Sequence, residues 1–101
     1  MSNDKLYYFI KENIPYASLL DQLAEELGEM QHHVIKAARA YREDNPTPTT
    51  FDEEMEKVSE EYGDVANLIR LLDLRFYPFE MKEKMERWKQ RIIEAREAAE
   101  Q

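Results

Sequence analysis

Two pairs of acidic side chains lie close to the apolar faces of the helices that the sequence predicts. Glu26 and Glu29 are three residues apart in one apolar-periodic segment, and Glu61 and Asp64 repeat this spacing in the next. At 100° per residue, Glu26 and Glu61 each lie only about 70° from the centre of their apolar stripe. Carboxylates in a partly dry cleft repel one another, and a divalent cation relieves that repulsion. Oxygen ligands at this spacing favour Mg²⁺, with Mn²⁺ as a substitute.

Two other interpretations of these acids stay open. The chain has 22 acidic residues among 101, so solvated pairs of acids at helical spacing also arise by chance. Glu29 and His32 form a Glu-x-x-His step, which di-iron bundles use on two separate helices. The only histidines are His32 and His33, which are adjacent, so the di-iron alternative is disfavoured. His33 continues the flank of Glu26 and Glu29, where it either assists the acids or has a structural or surface role.

The elements that must position these acids are helices. Only 2 Gly and 4 Pro occur among 101 residues, and 43% of the residues are hydrophobic. This composition predicts an all-α fold of about four antiparallel helices. We expect a short helix over residues 4–12 and a second helix opened by Pro15 and ending near Arg42. A Pro-rich loop over residues 44–50 follows, and the third and fourth helices are separated near Pro78.

Apolar residues at alternating steps of three and four define one stripe on each long helix. The stripe of the second helix consists of Leu20, Leu23, Leu27, Met30, Val34, Ala37 or Ala38, and Tyr41. The third has Phe51, Met55, Val58, Tyr62, Val65, Ile69 and Leu72, and Thr50 with Glu53 predicts its capping box. The last has Met81, Met85, Trp88, Ile92, Ala95 and Ala99. Because so short a chain buries these stripes poorly, we expect a homo-oligomer.

Charge and composition exclude several classes of protein. The net charge of −8 disfavours binding to a nucleic acid polymer, whose phosphates an acidic surface repels. No cysteine is present, which excludes disulfides and cysteine-based zinc sites. No apolar run approaches the roughly 20 residues of a membrane span, and the first residues do not resemble a signal peptide. We therefore expect a cytoplasmic protein without a membrane partner.

The last helix carries a basic flank beside its apolar stripe, formed by Lys84, Arg87 and Arg91. Three cations on one side of a helix can hold a triphosphate whose charge a metal only partly neutralises. The alternative is pairing along the helix, as between Glu80 and Lys84, which stabilises a helix by a few tenths of a kcal/mol. The sequence alone favours the pairing.

The two acidic pairs, taken with their neighbours, resemble a known family. Glu26-Leu27-Gly28-Glu29 and Glu61-Tyr62-Gly63-Asp64 are similar to the Glu-x-x-Glu and Glu-x-x-Asp motifs of the MazG-like all-α nucleotide pyrophosphohydrolases. The resemblance extends over residues 12–94. The length of 101 residues predicts that residues 1–101 form one domain, because so short a chain seldom divides into two cores. Residues 30–60, between the motifs, are longer than in the shortest members, and a surface loop tolerates such an insertion.

The resemblance implies a function and a set of site residues. Glu26, Glu29, Glu61 and Asp64 would be the catalytic metal ligands, for Mg²⁺. Contacts to a nucleoside triphosphate substrate would come from Lys84, Arg87, Arg91 and Asn67. The implied reaction is hydrolysis between the α- and β-phosphates to a nucleoside monophosphate and pyrophosphate, by a homodimer or homotetramer. The alternative is a non-catalytic helical interaction or regulatory module that keeps a relict acid cluster.

Overall fold

The computed structural model describes residues 3–44, 46 and 48–101, which form four helices and no strand. The helices are α1 (Asn3–Asn13), α2 (Tyr16–Arg42), α3 (Phe51–Leu71) and α4 (Pro78–Ala99). The prediction of an all-helical fold is thus confirmed, and α1 extends one residue beyond the predicted range at each end. The predicted loop 44–50 separates α2 from α3, and two of its residues, Asn45 and Thr47, lie outside the described residues.

The local sequence explains where the helices begin and end. Pro15 is the N-cap of α2, so the helix starts one residue later than its predicted opening. Thr50 caps α3, because its side chain accepts a hydrogen bond of 3.1 Å from the backbone N–H of Glu53. The sequence predicts that this helix stops near Phe76, whereas it ends at Leu71. Asp73 then adopts a left-handed φ of 56°, a conformation that ends a helix.

The core lies in the seam between α2 and α3, which pack antiparallel. Leu19, near the start of α2, packs with Leu68, Leu71 and Leu72 at the end of α3. Farther along the seam, Ala37, Val58 and Val65 are also buried. A buried Leu contributes about 1.5–3 kcal/mol relative to an exposed one, so these contacts are the main apolar stabilisation of the helix pair.

The buried faces of α2 and α3 are rotated from the predicted stripes. Leu20, Leu27, Val34 and Tyr41 of the α2 stripe are exposed, as are Phe51, Met55 and Tyr62 of the α3 stripe. The seam on α2 follows Leu19, Leu23, Glu26, Met30, His33 and Ala37, and on α3 it follows Glu54, Val58, Glu61, Val65 and Leu68. Each apolar surface is wider than one neighbouring helix covers, and the rotation places polar residues inside the seam.

The N-terminal helix packs on the last turns of α3 through polar and aromatic contacts. The Tyr7 hydroxyl donates to Asp73 Oδ1 at 3.1 Å, and the Arg70 guanidinium lies 4.4 Å from the centre of the Tyr7 ring. Arg70 also pairs with Asp4 at 3.0 Å, and Lys11 pairs with Asp73. These mostly exposed contacts orient α1 and add less stability than the apolar seam does.

Helix α4 has no extensive packing against the other described helices. Its predicted stripe is open to solvent, with exposed fractions from 45% at Ile92 to 64% at Met85. The radius of gyration is 18.8 Å, whereas a compact domain of this length has about 13 Å. A single copy therefore leaves a large apolar surface uncovered. Among the described residues, no helix is both long and apolar enough to cross a membrane.

Candidate metal centre

Three of the four predicted acidic ligands meet across the α2–α3 seam. Glu26 and Glu29 come from α2 and Glu61 from α3, and each offers a carboxylate oxygen within 4.8 Å of the other two. Because the helices run antiparallel, the acidic step of α2 lies opposite the acidic step of α3. Glu26 and Glu61 are half-buried and Glu29 is exposed, so the cluster opens to solvent on one side.

Glu61 is the electrostatic centre of this acid cluster. Its Oε2 atom is buried and has no hydrogen-bond donor among the described residues. The contact with Glu26, burial, and the contact with Glu29 raise the pKa of the Glu61 carboxyl to about 7. Two ionised carboxylates cannot donate to each other, so their close approach requires a shared proton or a cation. A positive charge beside Glu61 would therefore relieve the repulsion among the three carboxylates.

The arrangement of donors fits a hard divalent cation. The cluster offers carboxylate oxygens alone, which is the donor type that Mg²⁺ and Mn²⁺ take in proteins. Mg²⁺ needs six oxygens in an octahedron, so three carboxylates leave positions for water or for phosphate oxygens. The open side at Glu29 gives access for such a ligand.

Asp64, the fourth predicted ligand, lies outside the acid cluster. It is exposed, and its carboxylate is not among the oxygens that approach one another within 4.8 Å. Asp64 lies three residues after Glu61, about 60° short of a full turn of α3, so the two side chains point in directions about 60° apart. The seam runs through Val58, Glu61 and Val65, so the rotation that places Glu61 inside leaves Asp64 at the edge.

The four predicted substrate contacts are separate from the acids in a single chain. Lys84, Arg87 and Arg91 line a groove of about 350 Å³ with Trp88, formed by α4 alone. Asn67 is exposed and lines a different cavity of about 380 Å³ between α1 and α3, beside Tyr7 and Arg70. The basic groove does gather the three predicted cations on one surface, next to an aromatic ring.

Glu54 is a polar residue of the seam that the sequence analysis did not single out. It is fully buried, and its Oε2 lies 2.7 Å from Nδ1 of His33 on α2. Thr49 donates to Oε1 at 3.1 Å, and the Lys57 ammonium is 3.6 Å from the same oxygen. The bond from His33 outweighs burial and holds the pKa of Glu54 below its usual value. Glu54 precedes Glu61 by seven residues, and this spacing signals that both share one face of α3.

Comparisons with family models, with curated proteins and with solved structures gave no match to this chain. The chemistry of the site must therefore be inferred from its own geometry. That geometry has three parts: the acid cluster of Glu26, Glu29 and Glu61, the neighbouring pair of Glu54 and His33, and the basic groove on α4.

Proposed function

We propose that this chain is a metal-dependent nucleoside triphosphate pyrophosphohydrolase of the MazG-like kind. The observation that supports it most is the buried, donorless carboxylate oxygen of Glu61 beside Glu26 and Glu29. A divalent cation beside this carboxylate would relieve its repulsion by Glu26 and Glu29, whereas without a cation that repulsion remains. The order of the two acidic motifs along the chain points to the same family. The reaction is hydrolysis between the α- and β-phosphates, on nucleotides of the cytoplasm.

The acids would hold the metal, and their arrangement leaves room for a phosphate. Glu26 and Glu61 would supply half-buried oxygens and Glu29 an exposed one, and Asp64 lies exposed three residues after Glu61 on α3. A bound Mg²⁺ supplies positive charge to the phosphate oxygens and lowers the pKa of water. The protein contributes orientation, because the helix backbones fix the spacing of Glu26 and Glu29 and the seam fixes Glu61 opposite them.

Self-association is part of this proposal, because α4 has no extensive packing against the other described helices. Met81, Met85, Trp88 and Ile92 form an apolar stripe, and α2 exposes Leu20, Leu27 and Val34 at heptad spacing. A second copy can cover both surfaces and form a homodimer or homotetramer. The basic groove of α4 is complementary in charge to the acid cluster, so packing between copies can bring cations to the bound triphosphate.

The alternative function is a non-catalytic helical module. The observation that favours it is the exposed stripe of α4, which suits a partner helix without any need for chemistry. Under this alternative the acid cluster is a relict, and Mg²⁺ does not change the melting temperature. Under the enzyme proposal Mg²⁺ raises the melting temperature, because it binds the native state.

The direct test is pyrophosphate release from a panel of ribo- and deoxynucleoside triphosphates, with Mg²⁺ and with EDTA. Glu61→Gln removes the central carboxylate, and Glu60→Gln removes an exposed acid from the adjacent position as a matched control. We expect metal-dependent release that Glu61→Gln abolishes and Glu60→Gln preserves. Absence of release from every nucleotide by the folded wild-type protein would overturn the enzyme proposal in favour of the helical module.

A further inference from the structure

The pair formed by Glu54 and His33 is the most buried polar contact between α2 and α3. Glu54 has no exposed surface, and the His33 side chain keeps 20% of its surface exposed. Their oxygen and nitrogen are 2.7 Å apart. Burial of the Glu54 carboxylate costs desolvation free energy, whereas two apolar side chains in the same place would stabilise the seam without that cost. Packing alone therefore does not explain why this pair is present.

The contact determines which ring nitrogen of His33 carries a proton. The pKa of Glu54 is lowered, so its carboxylate is ionised and acts as an acceptor. The Nδ1 atom of His33 must therefore be the donor. This leaves Nε2 for another partner, and no described residue forms a hydrogen bond with it. A histidine held in this way by a carboxylate has a fixed ring orientation and a fixed tautomer.

The pair lies next to the acid cluster along the same seam. His33 follows Glu29 by four residues on α2, and side chains at that spacing are neighbours on a helix. Glu54 precedes Glu61 by two turns on α3. His33 does not belong to the group of ligand atoms that lie within 4.8 Å of one another. Its position therefore suits contact with a water molecule or a phosphate oxygen beside the acids, and not a place among the three ligands.

We propose that His33 is a catalytic residue of this site and that Glu54 is its positioning residue. The inference rests on the proposed hydrolase function. The oxygen of the attacking water bonds to one phosphorus of the α–β anhydride, and the water proton passes to Nε2 of His33. The bond between that phosphorus and the bridging oxygen breaks, and its electron pair stays on the leaving phosphate. The carboxylate of Glu54 balances the charge of the resulting imidazolium.

The first test separates the proton acceptor from the structural bond. His33→Asn retains an amide donor near the place of Nδ1 but removes Nε2, and His32→Asn makes the same change at the exposed neighbour. General base catalysis contributes about 10²–10⁴-fold. We expect His33→Asn to lower kcat for the best nucleotide by about 100-fold or more, with Mg²⁺ affinity within about twofold of wild type. His32→Asn should retain the wild-type kcat.

The second test reads the ring directly by long-range ¹H–¹⁵N NMR. In the wild-type protein we expect the proton on Nδ1, and Glu54→Gln should redistribute it between the two nitrogens because a neutral amide no longer selects one tautomer. Addition of Mg²⁺ with an α,β-methylene nucleoside triphosphate should shift the Nε2 resonance of His33 and leave that of His32 unchanged. If the pair were purely structural, Glu54→Gln would redistribute the proton of His33 without loss of turnover. The nucleotide analogue would then leave the Nε2 resonance of His33 unshifted.

The outcomes distinguish this inference from the proposed function. Wild-type hydrolysis with an equally active His33→Asn variant would overturn the role of His33 and leave the hydrolase proposal intact. An Nε2 resonance that does not move with saturating Mg²⁺ and the methylene analogue would also overturn it. If Mg²⁺ itself fails to bind to the wild-type chain, the hydrolase proposal falls, and this inference falls with it.

Discussion

Glu61 of α3 and Glu26 of α2 face each other across the seam, with carboxylate oxygens within 4.8 Å. Their contact is the largest cause of the raised pKa of Glu61. Two carboxylates that approach so closely without a donor between them repel each other when both are ionised. At neutral pH this repulsion destabilises the metal-free state. The helix pair thus stabilises an arrangement of like charges, and this property gives predictions that do not depend on any substrate.

The stability of the metal-free protein should fall as the pH rises from about 5 to about 8. Glu61 has a pKa of about 7 in the folded chain and 4.5 as its reference value, so folding favours its protonated form. Its stabilising contribution is full below pH 4.5 and is lost as the pH rises through 7. Thermal melts at several pH values in EDTA measure this trend.

Glu61→Gln supplies the control for this trend, because a neutral amide has no proton to lose. The variant should be more stable than wild type at pH 8 in EDTA, and its melting temperature should change less between pH 5 and pH 8. Glu54 and Asp73 have lowered pKa values, so their contributions are lost only in more acidic solution. A wild-type protein that becomes more stable from pH 5 to pH 8 would contradict the assignment of Glu61.

Asp64 should matter less for metal binding than Glu61. Asp64 is exposed and outside the acid cluster, whereas Glu61 is half-buried at its centre. We expect Asp64→Asn to weaken Mg²⁺ binding by about tenfold or less, and Glu61→Gln by about 100-fold or more. Titration calorimetry measures both affinities. Equal losses would show that Asp64 coordinates the metal directly, which the packing of a single chain does not provide.

A charge in the stripe of α4 should disrupt self-association. Met85 is 64% exposed in the single chain and lies between Met81 and Trp88 on the stripe. Met85→Glu places a carboxylate where we expect apolar contact with a second copy, so the variant should sediment as a monomer at micromolar concentration. Gln90→Glu adds the same charge on the opposite side of α4 and should keep the wild-type state. A wild-type monomer, or an unaffected Met85→Glu variant, would contradict the role of this stripe.

Alanine at Gly28 should stabilise the protein, because there is open space for the added methyl group. Apart from the adjacent residues and the backbone of the same helix, no described atom lies within 4 Å of the place where a Cβ would stand at Gly28 or at Gly63. Alanine in a helix interior is more favourable than glycine by about 0.5–1 kcal/mol. Chemical denaturation should show this gain for Gly28→Ala. A loss of stability would mean that another chain approaches this face closely and that the glycine is needed there.

The sequence predicted the helices well but only part of the seam, where Ala37, Val58, Val65 and Leu72 of the predicted stripes are buried. Amphipathic spacing located all four helices, and the Thr50 cap fixed the start of α3. The same spacing assigned Tyr62 to the buried face, where the structure has Glu61 and Glu54. A hydrophobic period defines a broad face of a helix, but the angle at which the neighbour covers that face depends on both helices together.

The sequence likewise predicted some residues of the candidate site and missed others. The spacing predicted that Glu26, Glu29, Glu61 and Asp64 would meet. The structure brings the first three together and leaves Asp64 outside the acid cluster. Glu54 was not predicted, because an acid in the first turn of a helix ordinarily belongs to the solvated surface. Its burial depends on His33, which is 21 residues away and on another helix. In the proposed homo-oligomer, the relation of the basic groove on α4 to the acids depends on a second copy, which one sequence does not describe.

Titration calorimetry with Mn²⁺ and Mg²⁺ at pH 8 is the sharpest test of the claim that Glu26, Glu29 and Glu61 form a divalent metal site. We predict saturable binding to the wild-type protein, retained in Glu60→Gln and lost in Glu61→Gln. At pH 6.5 the same titration should release protons, because Glu61 must lose its proton to bind the metal. Equal binding by Glu61→Gln and wild type, or no binding by wild type, would contradict the claim.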